Sequence, residues 1–598
     1  MVKFNNNFLL ILLSLILFTF EANCKSIRPE QYHTGGDDYT MAIQKCIDIA
    51  SQSGGAVEFT ADRYRVTGGM LKLKSNVTLY SRVGSCIYTS DKNNYKSILY
   101  QDMDSVIENI TIKGLCFDQS MELNSPYYDR INYYILLLYR AKNITVEDCT
   151  FHHVGTNCIV VNGPECFGSK IVSNEIKFTR IPSAGHYDVS SIYITDGEHY
   201  IADNYIYNDG QEINRQGGGL ETHGPVGVVK GNTIVNCYNA INVVSSDNLN
   251  PHGFKRTITR NKSVGCYNFL MLWSITGQEI NNVKIKNNSA IGLRTAVGVQ
   301  PGNDLTGTIS NVLVSKNKFV GQYHKFENET NAANSGHLLR YEAIAIHNYG
   351  DTRIKITKNY FYDFPAILVD LNAYNKTVHT ELFFIKNKVY NSYNSEIVEP
   401  LRLQSKFSLF CVGLDAKLIV MDNDITVSKL HPSIPPALMY GYQEGTVLFS
   451  DNTFKGMNLP IVRSDINSFD SRIFHPNYKP RDFDKFLPTT INKGDRIINN
   501  GEIITCLQQG TNKTIDLGNG YLHGGGEMFV TCQNYESIEV GDWIVIQGEE
   551  VGQQARQVIA IVEDRVYLKG VNAPLKLGET KRLSKIAYFP YMLDASLN

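Results

Sequence analysis

The chain is dominated by short runs in which apolar and polar residues alternate, and one such run recurs with a fixed ending. A β-rich stretch reaches an Asn and resumes as a second apolar run: KIVSNEIKF, YIADNYIYN, GVVKGNTIV, TITRNKSVG, VKIKNNSAI, VLVSKNKFV, IKITKNYFY, FFIKNKVYN, IVMDNDITV and VLFSDNTFK. The recurring residues are Asn174, Asn204, Asn232, Asn261, Asn287, Asn317, Asn359, Asn387, Asn423 and Asn452. Most lie about 26 to 30 residues apart, with longer intervals before Asn359 and Asn423, which is the spacing of a solenoid with loop insertions. Each coil shows period-two alternation and no long helical pattern, so it holds two or three short strands separated by bends. An Asn buried at a bend bonds to backbone groups that the turn leaves unpaired and to the Asn of the next coil, so these residues are structural.

The strand that opens each coil aligns as CIVVNG, SIYITD, GLETHG, AINVVS, FLMLWS, GVQPGN, AIAIHN and AILVDL, starting at Cys158, Ser191, Gly219, Ala240, Phe269, Gly298, Ala343 and Ala366. Side chains alternate, so the apolar second and fourth positions fill the interior and the third and fifth face outward. The third column reads Val160, Tyr193, Glu221, Asn242, Met271, Gln300, Ala345 and Leu368. The fifth reads Asn162, Thr195, His223, Val244, Trp273, Gly302, His347 and Asp370. Stacked strands lie about 4.8 Å apart, which makes Tyr193, Glu221 and Asn242 neighbours with His223 beside them.

The stretch GGDDYTMAIQKCIDIASQSGGAVEFTADRYRVTGGMLKLKSNVTLYS supplies a second signal. Asp37 and Asp38 suit a helix amino terminus, Ala42, Ile43, Cys46, Ile47 and Ala50 form one apolar face, and Gly54 and Gly55 end the helix. Coil repeat and cap together resemble the pectin-lyase-like superfamily, and the cap resembles that of its rhamnogalacturonase and tailspike branch. The resemblance implies an all-β fold, a right-handed parallel β-helix closed by an amino-terminal helix. It covers roughly residues 34 to 470. The FTADRY segment lacks the Pro and Gly usual in the family before the Tyr, so the likeness is one of fold.

Charge and the chain ends refine this picture. The formal charge of −2 on 598 residues argues against nucleic acid as a partner. Lys3 followed by FLLILLSLILFTF has the length of a secretory signal, which predicts an exported protein with residues 1–24 removed, or lipidation at Cys24 as the single route to a membrane. Twelve cysteines in this length do not make a disulfide framework, and Cys116, Cys149, Cys158, Cys237 and Cys266 are expected to pack as small apolar residues. Residues 471–490 read as a linker, and short strands with Gly-rich turns over 491–598 predict a small β domain. Assembly into an oligomer is compatible with the sequence.

Carboxylate, imidazole, phenol, amide and indole meet on one outer strand face, the face on which the family's enzymes bind polysaccharides by resemblance. Such a set suits a glycan: acids move protons at the glycosidic oxygen and an aromatic face stacks on the ring. Glu221, His223 and Asp196 are the expected catalytic residues, and Tyr193, Asn242, Trp273, Gln300, Arg215 and His347 the expected substrate-binding ones. The three glycines before Leu220 suggest close backbone approach just ahead of Glu221. A polygalacturonase-like set of NTD, DD, GHG and RIK is missing, as is a pectate-lyase-like WIDH, so pectin specificity does not follow. The leading expectation is a glycoside hydrolase. A uronate lyase using His223 or Tyr193, with Arg215 neutralising the uronate, and a non-catalytic glycan-binding solenoid are the alternatives. No cofactor or metal ligand set stands out, and calcium enters only because lyases of this fold often use it.

Overall fold

The computed structural model describes residues 26–429 apart from 68–70, 90–96, 120–133, 155–156, 164, 178–189, 196, 209–217, 225, 246–254, 276, 300–306, 323–341, 349, 365–366, 374–378, 393–407 and 413–415. Beyond residue 429 it describes mainly strands, and most of the expected linker 471–490 lies outside it, as do residues 1–25 with Cys24. Contacts divide the chain into two compact units, 1–293 and 294–598.

In the first unit each coil contributes one strand to each of three parallel sheets. One coil runs Ser169–Val172, Glu175–Lys177, Ser190–Ile194, and the next Glu198–Ala202, Tyr205–Tyr207, Gly218–His223. Pairing is parallel and in register, with Lys170 opposite Tyr200, Ile176 opposite Ile206 and Ile192 opposite Leu220. The second unit repeats the plan, as in Thr352–Thr357, Tyr360–Tyr362, Ile367–Ala373. This is a right-handed parallel β-helix. The helix Thr40–Ser53 buries Ala42, Ile43, Cys46, Ile47 and Ala50 and ends at Gly54, whose φ of 69° no β-carbon obstructs. Asp38 accepts the Thr40 amide at 3.0 Å, so the helix start is held from just outside it. At the carboxy end, strands between Lys513 and Tyr588 close an antiparallel barrel around Leu517, Val530, Ile544, Val558 and Val566.

The Asn residues stack inside the coils. Asn204 illustrates the bonding: its amide N–H and its Nδ2 both donate to Asn232 Oδ1, at 3.0 and 2.8 Å, and Nδ2 also donates to the Ile171 carbonyl at 2.9 Å. Asn174, Asn204, Asn232 and Asn261 repeat this in the first unit, and the second unit has its own ladder of Asn317, Asn359, Asn387, Asn423 and Asn452. One member differs from expectation: Asn261 bonds to Asn288, not Asn287. The cause is backbone conformation. The residue before each ladder Asn from Asn174 to Asn423, namely Ser173, Asp203, Gly231, Arg260, Asn287, Lys316, Lys358, Lys386 and Asp422, has φ between 54° and 70°. Asn tolerates that left-handed region well, so Asn287 supplies the turn and Asn288 the ladder.

The cysteine expectation also needs one correction. Cys149, Cys158, Cys237 and Cys266 are buried thiols, but Cys116 forms a disulfide with Cys86. The two sit opposite each other in adjacent coils, 30 residues apart, so a repeat spacing had brought them together.

Replacing a ladder residue orphans buried backbone groups at about 1–3 kcal/mol each. Asn232→Ala is therefore expected to cost at least about 2 kcal/mol in urea unfolding. Asn287→Gly, which keeps the left-handed turn, is expected to stay within about 0.5–1 kcal/mol of the parent. Equal losses in both variants would contradict the ladder assignment.

Candidate functional site

The third-position column in the first unit is continuous: Val160 pairs with Tyr193, Tyr193 with Glu221, Glu221 with Asn242, and Asn242 with Met271. His223, Val244 and Trp273 pair in the fifth. Leu220 and Thr222, on the opposite phase, are fully buried in the interior. Glu221 thus projects from the outer face, yet only 6% of it is exposed because its neighbours close over it.

Both carboxylate oxygens are engaged. Oε1 lies 2.7 Å from His223 Nε2, while Oε2 accepts from Ser190 Oγ at 2.8 Å and from Asn242 Nδ2 at 3.3 Å. Burial by itself would raise the Glu221 carboxyl. The hydrogen bond and charge of His223, with the bonds from Ser190 and Asn242, outweigh it and hold the carboxyl below its ordinary 4.5. Glu221 is therefore a carboxylate, able to take a proton or orient an imidazole but poorly suited to give one up. Tyr193 lies against the imidazole, ring centroids 4.9 Å apart.

The glycines before Leu220 create this arrangement. A β-carbon at Gly218 would stand 2.4 Å from Ser190 Oγ, the donor to Glu221. One at Gly219 would stand 2.6 Å from Ile234 and 2.7 Å from the Ala240 carbonyl. Three supporting residues escaped the sequence reading. Ser190 precedes the aligned strand, and Asn157 holds it through a bond from the Ser190 amide to Oδ1 at 2.6 Å. Arg256, fully enclosed and pulled down to about 10 by burial, donates to the Gly224 carbonyl immediately after His223. The signal for Arg256 was a charged residue at an inward-phase position beside Gly227, where a β-carbon would meet its guanidinium at 2.7 Å.

Of the other expected residues, Trp273 lies two strands from His223, and its buried indole N–H and the buried Asn242 Oδ1 have no hydrogen-bond partner among the described residues. Asp196, Arg215 and Gln300 lie outside the described residues. The register also revises two aligned strands of the second unit. Val297 and Val369, not Val299 and Ile367, pair with Ile344, so Gly298 takes the third-column slot assigned to Gln300. Asp370 likewise joins the third column in place of Leu368, which is fully buried. A slip of two residues preserves which side faces inward, so the apolar pattern could not detect it. His347 keeps its column but is buried against Asp370, with Nε2 3.0 Å from Oδ2.

A three-sheet parallel solenoid with a polar cluster on one outer face defines a class, the right-handed β-helix proteins. Solved structures agree. A tailspike protein mutant of E. coli bacteriophage HK620 in complex with pentasaccharide matches with a TM-score of 0.55 at 12% identity, covering 94% of each chain. The tailspike protein of the same phage in complex with pentasaccharide gives 0.53 at 12%, covering 94% of this chain and 93% of the other. Identity this low shows the shared fold. No protein-family model and no curated protein matches the chain.

A carboxyl depressed by folding stabilises the native state fully above its unfolded value, and that contribution is lost as pH falls through the folded one. The stability gap between the parent and Glu221→Gln should accordingly be widest near neutrality and shrink below about pH 4.5, the ordinary value, in urea unfolding. A gap that grows toward acid would show that the folded carboxyl is raised. Gly219→Ala is expected to destabilise by about 1–3 kcal/mol through overpacking against the Ala240 carbonyl.

Proposed function

We propose that this protein is an exported polysaccharide-cleaving enzyme, a glycoside hydrolase whose proton-handling unit is the Glu221–His223 pair. The observation that carries the reading is the 2.7 Å contact between an ionised, nearly buried carboxylate and an imidazole on the outer face of a β-helix. Glu221 fixes the ring through Nε2, which leaves Nδ1 to accept a proton. The pair therefore serves as the base, activating water, and the acid that protonates the leaving oxygen comes from another group. Asp196, just past the neighbouring strand, is our proposal for it. Tyr193 and Trp273, each partly exposed on the outer face, offer ring faces for a sugar. The fold likeness to tailspike structures in complex with pentasaccharide supports a glycan as ligand. The amino-terminal apolar segment supports export.

A second reading rests on the same contact with Tyr193 added. An imidazole held by a carboxylate beside a phenol can remove the proton next to a uronate carboxylate, which would make the enzyme a lyase.

Turnover on a panel of neutral and acidic polysaccharides, read for new reducing ends and for ultraviolet absorbance, decides between them. Hydrolysis yields reducing ends without an absorbing product. Glu221→Gln and His223→Ala are each expected to lower turnover by about two to four orders of magnitude, with circular dichroism unchanged. Full activity in folded Glu221→Gln would remove the pair from catalysis. An absorbing unsaturated product would establish the lyase, and glycan binding without cleavage a binding solenoid.

A further inference from the structure

Among the described residues of the second unit, Glu342, His347 and Asp370 bring one ligand atom each to within 4.8 Å of one another. Glu342 and His347 belong to the strand Glu342–Asn348, and Asp370 to the strand Ile367–Ala373 of the next coil. They are 3%, 8% and 4% exposed, so three groups of metal-binding chemistry have been taken out of water together. The strand pairing accounts for the meeting of His347 and Asp370. Gly298, Ala345 and Asp370 are successive members of the third column, so before Asp370 that column contributes only a hydrogen and a methyl. Glu342, in phase with Ile344 and Ile346, reaches the pair from the start of the same strand, and Ala345 is partly exposed.

We propose that Glu342, His347 and Asp370 form a site for a divalent transition metal of the zinc class. Two carboxylates and one imidazole match what zinc accepts from a protein, whereas calcium prefers six to eight oxygens and rarely takes nitrogen. Zinc bonds of about 2.0–2.2 Å put tetrahedral ligand atoms roughly 3.3–3.6 Å apart. His347 and Asp370 are already 3.0 Å apart, and all three ligand atoms lie within 4.8 Å of one another. Bound zinc would also offset the repulsion between two carboxylates enclosed at one point. Three protein ligands would leave a fourth position for a water or a ligand oxygen. The site uses no residue of the Glu221–His223 pair and does not depend on that pair being catalytic.

The test uses the full chain, stripped with a chelator and reloaded with zinc, manganese or calcium, with bound metal measured by mass spectrometry and affinity by calorimetry. Zinc is expected to bind at one ion per chain and to raise the melting temperature. His347→Ala and Asp370→Asn should each weaken binding at least about tenfold, since loss of even a group that only supports a ligand costs about 10–100-fold. Glu342→Gln, which preserves shape, gives the same readout should the other two variants fold poorly. Glu221→Gln should bind zinc as the parent does. Sub-stoichiometric zinc in the parent, unchanged affinity in the ligand variants, or tighter binding of calcium than of zinc would each overturn the proposal.

Discussion

The constraint on which the coils depend is the turn formed by a left-handed residue and the Asn that follows it. A parallel strand stack can slide by two residues without exposing its apolar face, so hydrophobic burial alone does not choose the register. The ladder does. Between consecutive ladder members an Asn Oδ1 receives both a backbone N–H and a side-chain N–H from the preceding Asn, as in the bonds of Asn174 to Asn204, and a slipped coil would lose both in a dry interior. Turn geometry thus becomes strand register, and register becomes the composition of the outward columns.

The Glu221 cluster shows how such a scaffold can hold an ion with little exposure. A buried carboxylate is costly unless hydrogen bonds compensate it, and here the compensation comes from three strands at once. Ser190 donates from one neighbouring strand, Asn242 from the other, and His223 from the same strand two residues on. The Ser190 donor depends on the bare Gly218, where a β-carbon would stand 2.4 Å from its Oγ. The missing β-carbon at Gly218 and the compact Ser190 hydroxyl are therefore as much part of the site as the ionisable groups. Arg256 and Asn157 act further back, fixing the backbone at Gly224 and the amide of Ser190.

How much of this was legible in the sequence follows from the same physics. Period-two alternation and the recurring Asn were enough to place the coils, the inward residues Ile192, Leu220, Ile241 and Leu270, and the outward neighbours Tyr193, Glu221 and Asn242. These succeed because uninterrupted coils of nearly equal length keep counting unambiguous. Asn287 and Cys116 were misread for a different reason. Adjacent Asn residues look equivalent until φ is known, and a Cys in a strand pattern looks apolar until its partner one coil away is considered.

The errors over Gln300, Leu368 and Asp370 are more instructive, because each left the inside and outside phase intact. Alternation carries only one bit per residue, and a two-residue slip conserves it. What breaks the degeneracy is chemistry that must be shared between coils. Placing Asp370 in the third column puts it beside Ala345 and within hydrogen-bonding distance of His347, whereas the slipped alignment would put Leu368 in that outward slot. A polar residue buried on an outer face is thus a register marker as well as a site marker. In a solenoid, sites are assembled across coils, and finding one fixes the alignment that brought its members together.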